Sequence, residues 1–264
     1  MRFKDKVKVI ILAAGKGTRM KSDIPKALQP LRGKPFIKHI LDTIDTLQLP
    51  NKPIVVIGHK KELVMEALGD ACLYAEQKEQ LGTGHAVGSA QNMAKTLPPE
   101  DGVVFVLSAD QPLVSKETIE SILKKHSEEN PKITIGTVTV ENFADWRNGL
   151  EHFGRIVRDR NGSIQKIVEF KNATEQEKAI REINPALYAF DENWLWQNIE
   201  ELKNNNNQGE YLLTDLIKIA CEQKMKIATV PIRNTIEAMQ PNSREELSNL
   251  EKIFHTHFMA SKVS

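Results

Sequence analysis

The sequence predicts an α/β fold with a mostly parallel sheet, on three observations. Apolar runs at 7–12, 54–58, 71–75 and 103–108 alternate with amphipathic stretches, the pattern of strand–helix–strand units joined by right-handed crossovers. The first run empties into a short loop carrying Gly15 and Gly17. From about residue 133 the alternation gives way to hairpin signals.

Each element follows from its residues. Val7 to Leu12 reads as a buried first strand. Phe36, Ile37, Ile40, Leu41, Ile44 and Leu47 recur at helical spacing. After the runs at 54–58 and 71–75, the Ala- and Met-rich stretch from Gly84 to Lys95 predicts a helix. The run at 103–108 precedes a helix from Lys116 to His126, with Ser115 as its N-cap. Ile133 to Val140 alternates as a strand does, and Gly154–Arg158 and Ser163–Phe170 flank Asn161-Gly162, a hairpin turn. A helix at 174–181, a strand at 183–190 and a helix at 192–203 follow, then a loop through Asn204–Asn207 and Gly209. Tyr211–Glu222 reads as a helix and Lys226–Ile232 as a last strand. Ser243 with Glu246 forms a capping box ahead of an apolar stripe, Leu247, Leu250, Ile253, Phe254 and Phe258. The whole is a Rossmann-like, mixed but mostly parallel sheet flanked by helices, with a smaller antiparallel lobe. We divide it into one domain over 1–242, a first half of about 1–132 and a second of about 133–242, followed by a C-terminal helix and tail over 243–264.

Composition narrows the function. The 264 residues carry a net charge of +1 with both signs interspersed, which argues against a nucleic-acid surface. No apolar stretch approaches the ~18 residues a membrane span needs, and the charged start Met1–Lys6 runs straight into a strand rather than a signal peptide. Cys72 and Cys221 lie in separate apolar segments without metal-type spacing and read as reduced, packed thiols of a cytoplasmic protein.

The chemistry is predicted at the carboxyl ends of the parallel strands, where such sheets bind ligands. The loop from Leu12 to Met20, with Pro25-Lys26 beyond it, holds Lys16, Arg19 and Lys26 beside two glycines, a combination suited to polyphosphate. It is not a Walker loop, because no Gly-x4-Gly-Lys-Ser/Thr spacing is present. Nor is it a dinucleotide fingerprint: Met20 stands at the third glycine position, and the second strand ends in Gly58-His59 without an acid. Asp110 leaves the fourth strand at the same edge as a candidate Mg²⁺ ligand, since that ion uses one or two protein carboxylates with substrate phosphates and water. The second glycine loop, Gln80 to His85, could approach a flat base, with Gln77 offering an amide donor and acceptor. His85, within the following helix, reads as a structural residue or as a support for residues that touch the ligand. Glu169, Lys171 and Asn184 are polar groups that suit sugar hydroxyls.

These motifs resemble those of the sugar-1-phosphate nucleotidyltransferases. The resemblance runs from the first strand to about residue 254 and is closest to the uridylyltransferase domain of the bacterial N-acetylglucosamine-1-phosphate uridylyltransferases. It rests on Ala13–Met20, Glu79–Ala86, Gly154-Arg155-Ile156, Ile167-Val168-Glu169, Glu182-Ile183-Asn184, Gly209-Glu210-Tyr211 and Thr214-Asp215. It implies a fold of the nucleotide-diphospho-sugar transferase type, with the second half binding the sugar. Leu12, Ala13, Ala14 and Gly15 would border the nucleotide, with Gln77, Gly82 and Thr83 at uracil and ribose. Arg19 and Lys26 would grip the phosphates as catalytic cations. Asp110, with Asn242 as second ligand, would hold Mg²⁺, and Gly154, Glu169 and Asn184 would hold the amino sugar. The sequence departs from the family pattern at Ser108-Ala109, where Ala109 would crowd a site that holds only hydrogen, and at Pro185-Ala186 beside the sugar. The segment Gln240-Pro241-Asn242-Ser243 carries an extra residue.

The implied reaction joins UTP and a sugar 1-phosphate, most simply N-acetylglucosamine 1-phosphate, with release of pyrophosphate. No hexapeptide repeat follows residue 254, so the family's acetyltransferase half is expected to be missing, from a single-function enzyme or an excised domain. Trimerisation in the family leans on that half, so a monomer is compatible with this chain. Two rivals stand beside this reading. One is a transferase for another sugar or for a molybdopterin acceptor, whose cytidylyltransferases resemble Ser108–Leu113. The other is a non-catalytic regulator that binds UDP-sugars.

Overall fold

The computed structural model describes residues 3–260, with side chains through His255. Phe258 of the expected apolar stripe and the tail 261–264 lie outside the described side chains. Strand β1 (Val7–Leu12) leads through the glycine loop to a two-stranded ribbon, β2 (Pro30–Leu31) and β3 (Lys34–Pro35), and into helix α1 (Phe36–Asp45). Then come β4 (Ile54–Ile57), α2 (Lys61–Leu68), β5 (Leu73–Glu76), α3 (Thr83–Ser89), α4 (Gln91–Lys95), β6 (Val103–Ser108) and α5 (Lys116–Glu129). The second half contains β7 (Ile133–Thr139), β8 (Gly154–Arg158), β9 (Ile164–Val168), α6 (Glu175–Lys178), β10 (Glu182–Asn184), β11 (Tyr188–Asp191), α7 (Glu192–Asn198), α8 (Asp215–Glu222), β12 (Ile227–Pro231) and α9 (Arg244–Ala260).

One ten-stranded sheet runs through both halves in the order β5-β4-β1-β6-β11-β7-β10-β8-β9, with β12 also paired to β7. β5, β4, β1 and β6 are mutually parallel. β11 inserts antiparallel between β6 and β7, and β8, β9 and β10 extend the antiparallel part. β12 departs from that pattern and lies parallel to β7.

Alternation along β1 sends Val7, Val9 and Ile11 into the core under α1, α2 and α5, and Ile10 into the core under α3, α4, α7 and α8. The sheet is therefore covered on both faces, as near-continuous apolar strands require. A third cluster, built on Leu31, Phe36, Ile236, Met239 and Leu250, docks α9 onto the first half.

Several elements differ from expectation for identifiable reasons. Helix α2 was not foreseen: it buries only Val64 and Leu68 and exposes Leu63 and Met65, so its apolar stripe is weak. The helix expected at 84–95 breaks at Ala90 into α3 and α4. The helix expected from Tyr211 starts only at Asp215, because the preceding backbone is bonded to the second glycine loop: Tyr211 N to Leu81 O, Gly84 N to Tyr211 O, and Leu213 N to Thr83 Oγ1. α6 covers only the centre of the stretch expected at 174–181, and the helix expected at 192–203 ends as α7 at Asn198, with a 3-10 turn after it. The strand expected at 183–190 is real but bulged: Ile183 pairs with Val138 and Tyr188 with Ile135, so five steps on one strand match three on the other. The cap at Ser115 behaves as read, and the box read at Ser243 forms in part, because the Glu246 carboxylate takes the N–H of Asn242 rather than that of Ser243. Ser115 accepts from Thr118 N, and Ser243 Oγ accepts from Glu246 N.

Candidate active site

β1 continues its pairing one residue past its end, with Ala13 N donating to Val56 O at 2.9 Å. The chain then turns at Gly17, where φ is +59° and an added Cβ would lie 2.8 Å from Lys26 Cβ. Only glycine allows the two arms of the loop to approach so closely. Met20 is buried and anchors the loop. Arg19 and Lys26 are thereby aimed at one point: Asn242 Oδ1 accepts from Arg19 Nη2 at 2.8 Å and from Lys26 Nζ at 2.6 Å. Lys26 Nζ also donates to Asp110 Oδ2. Asp110 is carried there by β6, whose pairing extends through Ala109 N to Leu12 O at 2.9 Å. The orientation of Asn242 is set by Nδ2 donating to Gln240 O and by its own N–H donating to Glu246 Oε2, in the capping turn of α9.

This cluster opens a cleft of about 500 Å³ at the carboxyl edge of the parallel strands, lined also by Ala13–Gly15, Gln77, Gly82 and Thr83. A second cavity of about 250 Å³ adjoins it and contains Gly154, Glu169 and Asn184. Leu12, Arg19, Thr83, Ser108 and Asn242 line both. The structure thus brings the sequence-derived site residues other than Lys171 to one continuous depression, although Asn242 lies more than two hundred positions from the glycine loop.

A sequence profile described as a MobA-like NTP transferase domain matches residues 9–217. The chain belongs to the MobA-like NTP transferase family. It is 41% identical over 247 residues to a protein of Bacillus licheniformis named bifunctional protein GlmU, covering 94% of this chain and 52% of the relative. It is 40% identical over 246 residues to the protein of that name from Enterococcus faecalis. The chain spans about half the length of the curated relatives it matches. Among solved structures, a UDP-glucose pyrophosphorylase complexed with UDP-glucose superimposes with a TM-score of 0.71 at 18% identity, covering 95% of this chain and 98% of that one. At that identity the likeness describes the fold, a nucleotide-sugar pyrophosphorylase type.

Within this NTP transferase, some groups are less free than their sequence implied. Gln77 was expected to present both a donor and an acceptor to a base. Its Nε2 instead meets Gly82 O at 3.0 Å and His85 Nδ1 at 3.1 Å, so its donors are spent inside the protein. His85 meets Gln77 from within α3. Asn184 Nδ2 donates to Tyr188 Oη at 2.6 Å, and its Oδ1 accepts from Ala186 N at 3.1 Å. Lys171 is exposed and lines neither cavity. Ala109 lines the cleft, yet it is only 2% exposed and belongs to the apolar core below, which takes up part of the methyl expected to crowd the site.

The transferase site also holds residues that sequence reasoning missed. Gln80 and Glu210 line the first cleft, and His152, Tyr188, Thr214 and Gln240 the second. Glu210 and Thr214 lie in quoted motifs and could have been found there. His152 and Tyr188 carried no local signal. Glu169 accepts the Thr214 hydroxyl at 3.0 Å. Burial pushes its carboxyl above the usual carboxylate range, against the pull of that hydrogen bond.

The donor set fits a hard cation. Asp110 Oδ1 is buried without a hydrogen-bond partner, whereas Asn242 Oδ1 already accepts from Arg19 and Lys26 and would serve an ion only once those cations turn to phosphate. Among the described residues no group of three or more His, Cys, Asp or Glu could hold a metal; an ion held here by Asp110 would take most of its ligands from phosphate and water.

Proposed function

We propose that this chain is a sugar-1-phosphate uridylyltransferase that makes UDP-N-acetylglucosamine and pyrophosphate from UTP and N-acetylglucosamine 1-phosphate. The observation that carries the reading is the convergence of Arg19 and Lys26 on Asp110 and Asn242 at the junction of the two cavities. The match to a MobA-like NTP transferase domain and the long identity to proteins named bifunctional protein GlmU support nucleotidyl transfer, and the choice of sugar follows the resemblance of the motifs around Gly154, Glu169 and Asn184. The larger cleft would take the nucleotide and the smaller the acceptor. Partners are then small molecules; among the described residues no helix is long and apolar enough to cross a membrane.

In the reaction an acceptor phosphate oxygen forms a bond to the α-phosphorus of UTP as the bond to the β-phosphate breaks. The nucleophile is already anionic, so no general base is required. The barrier lies in bringing two anions together and in the charge gathering on pyrophosphate. Arg19 and Lys26 meet that charge from the loop, and Arg19 can hold two oxygens through its planar fork. Asp110 and Asn242 would hold Mg²⁺, which when bound supplies charge neutralisation to the phosphates. Glu169 and Thr214 face the acceptor cavity and would receive its hydroxyls.

A pyrophosphate-release panel of the four NTPs against N-acetylglucosamine, glucose and glucosamine 1-phosphates tests the proposal. The UTP and N-acetylglucosamine 1-phosphate pair should give the highest turnover, and only with a divalent cation. Arg19→Ala and Asp110→Asn should each lower turnover by about a hundred- to a thousandfold, the usual cost of removing one preorganised electrostatic group, with folding intact by circular dichroism. Near-normal turnover in either variant, or preference for another pair, would sink the assignment. UDP-sugar binding without any pyrophosphate would identify the regulator instead.

A further inference from the structure

The wall of the smaller cavity is built against local backbone preference at one point. Between β10 and β11, Ala186 sits at φ +61°, in the left-handed region that favours glycine. Nothing about the bulge is loose. Ala186 N donates to Asn184 Oδ1 at 3.1 Å. Pro185 O accepts from Gln111 Nε2 at 2.7 Å and from Gln240 Nε2 at 2.9 Å. Gln111 is itself fully buried, and Gln240 O orients Asn242. Among residues 183–190, Ala186 alone is half-buried rather than buried, and it lines the cavity with Gly154, Glu169 and Asn184. A glycine would occupy this backbone without strain. The chain instead holds a methyl group at the cavity wall, in a conformation that three side-chain amides impose.

We propose that the Ala186 methyl is the specificity-determining group of the acceptor cavity and fixes the largest sugar it admits, with Asn184, Gln111 and Gln240 as its positioning residues. This rests on the reading of the cavity as the sugar side of a nucleotidyltransferase. The ligand class is a hexose joined through its 1-phosphate to uridine diphosphate, and the discrimination is between a hydroxyl and an acetamido substituent.

Two substitutions that suit the left-handed backbone test it. Ala186→Gly removes the methyl and the strain together. Ala186→Asn enlarges the side chain while remaining tolerated at positive φ. Dissociation constants for UDP-N-acetylglucosamine and UDP-glucose are measured by isothermal titration, with pyrophosphate release followed in parallel. Ala186→Gly should shift the ratio of the two constants by about tenfold in favour of UDP-N-acetylglucosamine, the scale of one methyl group in a fitted pocket. Ala186→Asn should weaken both ligands by about tenfold and leave UTP affinity within about twofold of wild type. A ratio unmoved in Ala186→Gly, or no binding of either sugar nucleotide by any form, would overturn the proposal. Unmoved ratios with pyrophosphate still released would count against Ala186 and not against the transfer reaction. Shifted ratios without pyrophosphate release would uphold Ala186 and remove the transfer reaction.

Discussion

Glu169 follows β9 into the smaller cavity with its carboxyl raised by burial. In the range between the ordinary carboxylate value and its raised one, the folded chain keeps a proton that water would remove. Only the ionised form offers all its lone pairs to sugar hydroxyls. The kcat/KM for the sugar phosphate should therefore rise with pH through the raised pKa and then level off, whereas that for UTP should not follow the step. Glu169→Gln should be low and flat over the same range, and a pH step surviving in that variant would assign it to another group. At this scale the sequence was informative where chemistry is local. Gly17 must turn, Asp110 must leave a strand, and both could be read directly. What Gln77 and Asn184 can offer a ligand depends on His85, Gly82, Tyr188 and Ala186, whose positions are tertiary.

At the level of elements, the two glycine loops do different work. The first bends so that its own cations converge. The second is tied to a distant segment, with Gly82 at φ +109° and an added Cβ only 2.6 Å from Tyr211 O. Gly82→Ala should cost about 1–3 kcal/mol through backbone strain and weaken UTP binding more than sugar-phosphate binding. Chemical denaturation and titration read the two effects, and wild-type values in both would show that the contact is unimportant. The same tie explains a boundary the sequence misplaced. Tyr211 to Thr214 looked helical but is bonded to loop 81–84, and α8 begins only when that segment is released. Strand existence was legible because apolar runs are local. The bulge between β10 and β11 was not, because it appears only when both strands are paired with β7.

Over the whole molecule, one buried ion pair joins the two halves. Lys8 of β1 lies on the α7 face of the sheet, fully buried, and donates to Glu192 Oε1 at 2.7 Å. Glu192 also accepts from Trp196 Nε1 and, through Oε2, from Gly102 N. Lys8→Met would strand the Glu192 carboxylate in the core and should cost about 3–5 kcal/mol, with part recovered by Lys8→Met combined with Glu192→Gln. Urea melts of the three forms measure this, and a loss below about 1 kcal/mol in the single variant would show that the pair is dispensable.

The place of β11 has a consequence for biosynthesis. β6 finds β1 as a partner as soon as it is made, but its other edge waits for residues 188–191. At ~5–20 residues per second, a ribosome needs roughly 4–17 s to extend the nascent chain from the end of β6 to the end of β11. During that interval a nearly all-apolar strand, Val103–Ser108, stands with one row of amides and carbonyls unpaired, the kind of edge to which other chains adhere. The first half is thus left with one open sheet edge until β11 has been made.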